Sequence, residues 1–489
     1  MDGKACLAVL ATAAAALGGC AVGPDFKNPS PPPVDRYTRE PVPAATASAP
    51  VAGGTTQRFA PDADIPGDWW TLFHSAALNR LVAEALRNNP DFDAAQAALR
   101  QADEAVYAAQ GRLLPAAEAN VAAERQRLDG AIIGEPKYAP TFTVVTASVQ
   151  VSYAPDVFGG TRRQIEAAAA QAEYQGFALE ATYLTLTSEL VICAVQEASL
   201  REQIAATQEI LRLEENELDL VRQQFGVGVV SQAEVLLQQS QLEQTRASLP
   251  VLQKQLAQLR NALTALVGRF PSEEVEETFT LAQLTLPQEL PVSVPAKLIE
   301  QRPDVRQARA ALHAASAEIG IATADQLPQF SISAALGKTT TGVDALPGTT
   351  VWNLASGVGE TVFDAGTLLH RKRAAVAAYE RASAQYRSTV LKSLQNVADV
   401  LRALQSDADN LAAQEAAARA VYASLLVVRA RFHAQTVDFT QVLIAERNWQ
   451  QARISEVRAV SDRYADSAAL FQALGGGWWH RSDAVATAK

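Results

Sequence analysis

Cys20 is the residue whose surroundings most directly specify covalent chemistry. Lys4 precedes an apolar run from Ala5 to Leu17, and the run ends in Leu17-Gly18-Gly19-Cys20. Such a run is too short for a permanent membrane span, and small residues leading into a cysteine mark where a bacterial leader is cut and the thiol acylated. Residues 1–19 therefore read as a lipoprotein signal peptide and Cys20 as the acylated first residue of the mature chain. Each buried methylene of the attached lipid adds about 0.8 kcal/mol to anchoring. The other reactive residue types point nowhere. His74, His313, His370, His433 and His480 have no Cys or carboxylate neighbours at metal-ligand spacing. His370 beside Arg371-Lys372-Arg373 reads as a solvated basic collar. Phosphate-loop, nucleophile-elbow and dinucleotide-binding glycine patterns do not occur. The reading is of a protein that is not an enzyme and carries no cofactor beyond the lipid on Cys20.

Composition narrows the class further. Met1 is the only methionine, so no thioether relay for copper or silver survives processing. Cys193, the one cysteine outside the leader and the lipidation site, reads as a buried inert thiol. A net charge of −11 without a basic stripe argues against nucleic acid. Aromatics make up only 6% while alanine is abundant, which suits closely packed helices more than a bulky globular core.

The elements that carry these residues come in duplicate. Asn89-Pro90-Asp91 recurs as Arg302-Pro303-Asp304, and Leu114-Pro115 as Leu327-Pro328, both 213 residues on. Phe225 recurs as Phe432, Val235-Leu236 as Val442-Leu443, Gln244 and Arg246 as Gln451 and Arg453, and Gly268 as Gly475, all 207 residues on. One unit of roughly 200 residues was duplicated. In each unit a long stretch is free of helix breakers. No proline occurs between Pro155 and Pro250, no glycine between Gly176 and Gly226, and neither between Gly366 and Gly475. Apolar residues recur at three and four, as in Leu179, Tyr183, Leu186, Leu190 and Cys193. A helix from Thr161 to Phe225 spans about 100 Å at 1.5 Å per residue. Each unit then turns, at Gly226-Val227-Gly228-Val229-Val230-Ser231 or at Ala434-Gln435-Thr436-Val437-Asp438-Phe439, and returns as a second helix. Ser231 with Glu234 three residues on forms a capping box that starts the return.

Before each hairpin lie two segments of period-2 alternation. Ala117-Ala119-Val121-Ala123 and Val145-Ala147-Val149-Val151-Tyr153 form apolar faces, with Glu118, Asn120, Glu124 and Thr146, Ser148, Gln150, Ser152 opposite. Phe330 to Lys338 and Val351 to Ala355 repeat the pattern, joined by turn-rich connections at Leu128 to Pro140 and Thr339 to Thr350. Such segments build outer-membrane barrels. Two strands per unit make four per chain, which cannot close, and open edges are prohibitive in lipid. Two chains make eight strands with a filled interior, whereas three make twelve and leave a channel. The expectation is a mainly α protein with a membrane β-barrel portion, a trimer sharing a twelve-stranded barrel and a twelve-helix periplasmic tube.

At this point the residues match a family. Cys20-Ala21-Val22-Gly23-Pro24-Asp25-Phe26, Asp68-Trp69-Trp70-Thr71-Leu72-Phe73, Ala85-Leu86-Arg87-Asn88-Asn89-Pro90-Asp91 and Ala473-Leu474-Gly475-Gly476-Gly477-Trp478 occur in order. Over residues 17 to 479 the chain resembles the outer-membrane efflux factors, the TolC-like channel-tunnels, and among them the lipoprotein branch. Ala21 in place of Asp, by similarity to bacterial lipoproteins, favours the outer membrane over inner-membrane retention. The resemblance implies a passive trimeric exit duct for small toxic compounds. It also implies a periplasmic adaptor (membrane fusion protein) and an inner-membrane RND-type pump as partners, with docking at the hairpin tips: Gly226, Gly228, Val229, Val230 and Ser231 on one, Thr436 and Val437 on the other. The domain reading is a leader at 1–19, an acylated extended arm at 20–66, repeat one at 67–270, an equatorial linker at 271–295, repeat two at 296–477 and a tail at 478–489.

The periplasmic gate is expected around Asp438, Phe439, Thr440, Ile444, Glu446 and Arg447. Many relatives read Val-Leu-Asp-Ala-Gln-Arg after the second turn, and the Asp forms a narrowing ring. This chain reads Val442-Leu443-Ile444-Ala445-Glu446-Arg447, so three Ile444 side chains would seal by dewetting instead. The competing reading packs Ile444 between helices and puts the seal at Thr440 or Asp438. Asp438 and Glu446 can pair with Arg447 or Arg431 of the same or a neighbouring hairpin. Two other functions fit the same architecture: the outer-membrane duct of a type I protein-secretion system, and a non-conducting envelope-spanning coiled-coil scaffold.

Overall fold

The computed structural model describes residues 21–61, 63–127, 129, 141–341 and 348–481. The leader, Cys20, the Leu128 to Pro140 connection apart from Asp129, part of the Thr339 to Thr350 connection and the tail beyond Arg481 lie outside the described residues.

In chain order the elements are β1 (Arg58–Pro61), a 3-10 turn (Trp69–Phe73), α1 (Ala76–Asn88), α2 (Pro90–Gly111), β2 (Ala116–Arg127), β3 (Thr141–Tyr153), α3 (Gly160–Gly226), α4 (Gln232–Leu266), β4 (Glu289–Val292), α5 (Pro295–Gln301), α6 (Pro303–Ala324), β5 (Gln329–Thr340), β6 (Thr349–Gly359), α7 (Thr367–His433) and α8 (Phe439–Ala473). The duplication holds element by element. Helices α3 and α7 are 67 residues each, α4 and α8 are 35 each, and each pair begins 207 residues apart. Helices α2 and α6 are 22 residues each and begin 213 apart. The offset changes between the two strands of each pair, from 213 at the starts of β2 and β5 to 208 at the starts of β3 and β6.

The repeated motifs have local causes. Asn89 Oδ1 accepts the backbone N–H groups of Asp91 and Phe92 at 2.9 and 3.1 Å, with Pro90 at the first helical position, where its missing donor is harmless. Its amide Nδ2 donates to the carbonyl of Leu266 at 2.9 Å, one of the unpaired carbonyls ending α4. In the second repeat Arg302 Nη1 donates to the carbonyl of Ala473 at 2.7 Å, the corresponding end of α8. Gly268 and Gly475 follow those helix ends with φ of +83° and +99°. A Cβ on either would collide with the carbonyl of Asn88 or Gln301, so both positions require glycine.

The chain divides into two compact units, each drawing on both repeats. The first comprises residues 1–29, 98–175 and 307–387, the second 30–97, 176–306 and 388–489. The first unit contains one antiparallel sheet in the order β2-β3-β5-β6. The register aligns Ala119, Val149, Leu336 and Trp352 across the four strands, and next to them Ala117, Val151, Ala334 and Leu354. Over these rungs that face is apolar, and the next rung toward the end of β5 adds Val121, Ala147, Lys338 and Thr350 to it. The other carries Asn120 and Ser148 in one rung and Gln150, Ala335 and Asn353 in another. Strands β2 and β6 are edges that pair with nothing beyond their one neighbour among the described residues, and every residue of both is exposed.

The second unit holds the main core, around Trp69, Phe73, Leu78, Leu81, Leu190, Leu263, Phe279, Leu290, Leu298 and Phe471. Trp69 stacks on Phe471 with ring centroids 5.3 Å apart, so the Trp69-Trp70 motif is core. Part of the arm is structured here, which its Pro/Ala/Thr-rich composition did not announce. Strand β1 pairs in parallel with β4, and Arg463 Nη2 donates to Thr55 O at 2.8 Å and Thr46 Oγ1 at 3.0 Å, while Nη1 donates to Gly53 O at 2.9 Å. Cys193 is half-buried, and burial, with Glu189 adding in the same direction, pushes its thiol up to about 11.

Candidate gate, docking tips and membrane face

The two hairpin turns are built alike. Gly228 has φ of +76°, and Gln435, 207 residues on, has φ of +61°. The left-handed conformation costs a non-glycine residue about 1–2 kcal/mol, so turn geometry here overrides residue preference. Ser231 and Asp438 then start α4 and α8 with extended backbone at the cap position. The Glu234 half of the capping box is formed, its Oε2 accepting the Ser231 N–H at 2.6 Å. Asp438 makes no side-chain cap bond.

Behind the turns lies a small apolar cluster of Val221, Phe432, Phe439 and Val442, with Val230, Val235 and Val437 against it. Phe432 and Phe439 have centroids 5.2 Å apart. Fully burying side chains of this kind contributes about 1.5–3 kcal/mol each. Phe439 is thus packed inside the tip, while Asp438 and Thr440 are exposed. At the first tip Gly226, Val229 and Gly228 are open to solvent, with Val227 77% exposed. Thr436 is exposed and Val437 and Val230 half-buried.

Ile444 is 55% exposed, on the opposite side of α8 from buried Val442, Ala445 and Glu446. It shares its exposed stripe with Thr440, Gln441, Arg447 and Asn448, and it does not pack between the helices of its own chain. Within the chain, Glu446 has a different partner from the one expected. Glu446 is buried, and its Oε1 accepts from Arg429 Nη2 on α7 at 2.7 Å, not from Arg447 or Arg431. Burial raises the Glu446 carboxyl above the usual range, with Glu217 adding to the effect and Arg429 opposing it. Arg429 was missed although a signal existed, because it lies four residues before the end of α7 and Glu446 seven residues after the start of α8, close enough along the two arms of one antiparallel hairpin for a long side chain to span.

The residues after Cys20 are held beside the sheet. Val22 N–H donates to Phe158 O at 2.9 Å, just past the end of β3, and Arg163 Nη2 pairs with Asp25 Oδ1 at 2.7 Å. Phe26 stacks on His313 at 4.3 Å, and His313 Nε2 meets Glu166 Oε1 at 2.9 Å. His370 is exposed with Arg371 and Arg373. Among the described residues no group of three or more His, Cys, Asp or Glu side chains is arranged to hold a metal.

Known proteins match over most of the chain. The outer membrane efflux protein family covers residues 81–269 and 294–476. The pyoverdine export outer membrane protein OpmQ of Pseudomonas putida is 28% identical over 446 residues, 90% of this chain and 94% of its own length. A probable outer membrane lipoprotein, SilC of Salmonella typhimurium, is 24% identical over 84% of this chain and 88% of its own. The solved structure of the outer-membrane channel OprN superposes with a TM-score of 0.83 at 26% identity, covering 94% of this chain and all of that one.

Proposed function

Since the chain belongs to the outer membrane efflux protein family and is an outer-membrane channel subunit of an efflux system, we propose that it works as a homotrimer. Three four-stranded sheets join edge to edge, β6 of one protomer to β2 of the next, in a twelve-stranded barrel. The observation that carries this is the sheet itself: one face apolar, the other polar, and both edge strands open. Strands of 11 to 13 residues suit a tilted membrane crossing. An apolar 18-residue stretch of α7 that is only 17% buried is further surface for a second copy to cover.

The hairpins then form a twelve-helix periplasmic tube. The exposed residues Gly226, Gly228, Val229, Thr436 and their neighbours Val230, Ser231 and Val437 meet the adaptor, behind which stands an RND-type pump. Ile444, on the exposed stripe of α8, is turned to the three-fold axis and forms a dry constriction. Cargo is a small toxic compound or an exported metabolite, in keeping with a relative named for pyoverdine export. Acylated Cys20 anchors the arm to the same membrane, one residue before the segment held against Phe158. Mass photometry of the detergent-purified protein, with planar-bilayer recording, tests this. Trimers that conduct once the tips are loosened are expected, and monomers or dimers would overturn it.

A further inference from the structure

Behind the apolar cluster at the tips, the packing between the two hairpins turns polar. Glu214 on α3 is 2% exposed and Glu446 on α8 is 4% exposed. Glu214 Oε1 accepts from Thr245 Oγ1 at 3.0 Å and from Gln241 Nε2 at 3.3 Å, both on α4. Arg429 on α7 gives Glu446 its one ion pair. The second oxygens of Glu214 and Glu446, Oε1 of Glu217 on α3 and Nε of Arg429 are buried without a hydrogen-bond partner. Three carboxylates thus face a single guanidinium, and α4 offers only the neutral Gln238, Gln241 and Thr245. The remaining charged groups nearby point to solvent: Glu215 pairs with Arg246 at the surface, Asp219 with Arg222, and Arg447 is exposed.

A buried carboxylate without full pairing is costly when ionised and far less so when protonated. We propose that Glu214 and Glu446 form a proton-operated latch between the two hairpins, which holds the tips together when protonated and loosens them when ionised. The latch rests on the reading of these tips as the periplasmic end of the channel. Burial pushes the Glu214 carboxyl up to about 7, with the Glu446 carboxylate acting in the same direction and the Thr245 and Gln241 hydrogen bonds opposing. In a loosened, solvated tip the same group titrates near its ordinary 4.5. The closed tip therefore holds a proton that the open tip releases. Its advantage is complete below pH 4.5 and is lost as pH rises through about 7. Full linkage shifts the equilibrium by up to about tenfold per pH unit inside that window, and partial solvation of the cluster reduces this to about tenfold over the whole of it.

The test uses the full-length acylated protein in planar bilayers, with the periplasmic chamber taken from about pH 5 to about pH 7.5 at constant salt. Open probability is expected to rise about tenfold, and Glu214→Gln, a neutral isostere of the protonated acid, to stay at the closed level throughout. A second readout needs no conduction. Spin labels at Asn216→Cys and Asn448→Cys, both exposed, report the separation of α3 and α8 in a Cys193→Ala background. The distance is expected to lengthen over the same pH range in the otherwise unaltered protein and to remain short with Glu214→Gln. Conduction with identical pH profiles for both proteins overturns the latch and leaves the duct standing. Absence of conduction under every condition overturns the duct. The spin-label distances then decide the latch alone, and pH-independent distances overturn it.

Discussion

Adding one charge at adjacent positions of β5 separates the two faces of the sheet. Leu336 is 60% exposed in the protomer and lies between Val149 and Trp352 on the apolar face, while Ala335 lies between Gln150 and Asn353 on the polar face. Because side chains alternate along a strand, in the proposed barrel Leu336→Arg would place a guanidinium in lipid and Ala335→Arg the same group in the water-filled lumen. Leu336 is near the middle of its strand, where an arginine facing hydrocarbon costs about 2–4 kcal/mol. Three copies in a trimer make about 6–12 kcal/mol, comparable with the whole stability of a typical fold, about 5–15 kcal/mol. Ala335→Arg keeps its charge hydrated and costs little. The assay is refolding into lipid vesicles with the yield of heat-resistant oligomer read on gels, alongside the amount reaching the outer membrane in cells. Leu336→Arg is expected to lose most assembly, and Ala335→Arg to assemble and shift ion selectivity toward anions. Equal yields, or loss with Ala335→Arg alone, would refute the assignment of faces.

Three further outcomes are expected. Ile444→Ser raises single-channel conductance and antibiotic leakage, with a smaller increase for Asp438→Ala; a bilayer trace unchanged by Ile444→Ser would reduce Ile444 to a surface residue. Arg463→Met removes the buried guanidinium bonded to Gly53, Thr46 and Thr55 and leaves those oxygens unpaired, at a cost of about 1–3 kcal/mol. Hydrogen exchange over residues 44–60 should rise, and an unaltered exchange pattern would show that other contacts hold the arm. Cys20→Ala abolishes acylation by mass spectrometry of the mature N-terminus yet leaves trimers in the membrane, because the barrel's apolar belt retains them; an unmodified residue 20 in the starting protein would reject the lipoprotein reading.

Much of this architecture is legible from neighbours along the chain. The long helices follow from stretches without proline or glycine, and Gly160–Gly226 extends the expected Thr161 to Phe225 by one residue at each end. The strands follow from period-2 alternation, although they extend past the segments first identified, to Ala116–Arg127 and Thr349–Gly359. The constant 207-residue offset announced two equal hairpins and matched Gly268 to Gly475, whose shared left-handed conformation the structure supplies. Such features depend on local sterics and periodicity, which a few adjacent residues carry.

Tertiary structure decided what depends on which faces meet. Gln435 adopts the left-handed conformation of Gly228 without a glycine to announce it, in a turn whose flanking Phe432 and Phe439 pack on each other. Strands β1 and β4 are too short to show a period, and only their pairing across more than two hundred residues defines them. Arg463 looks like any charged helix residue until the arm covers it. Glu446 sits beside Arg447 in sequence, but neighbouring helix positions point about 100° apart. The side chain that reaches Glu446 therefore comes from α7, and Glu214 and Glu446 become one electrostatic system only when two hairpins press them out of water together.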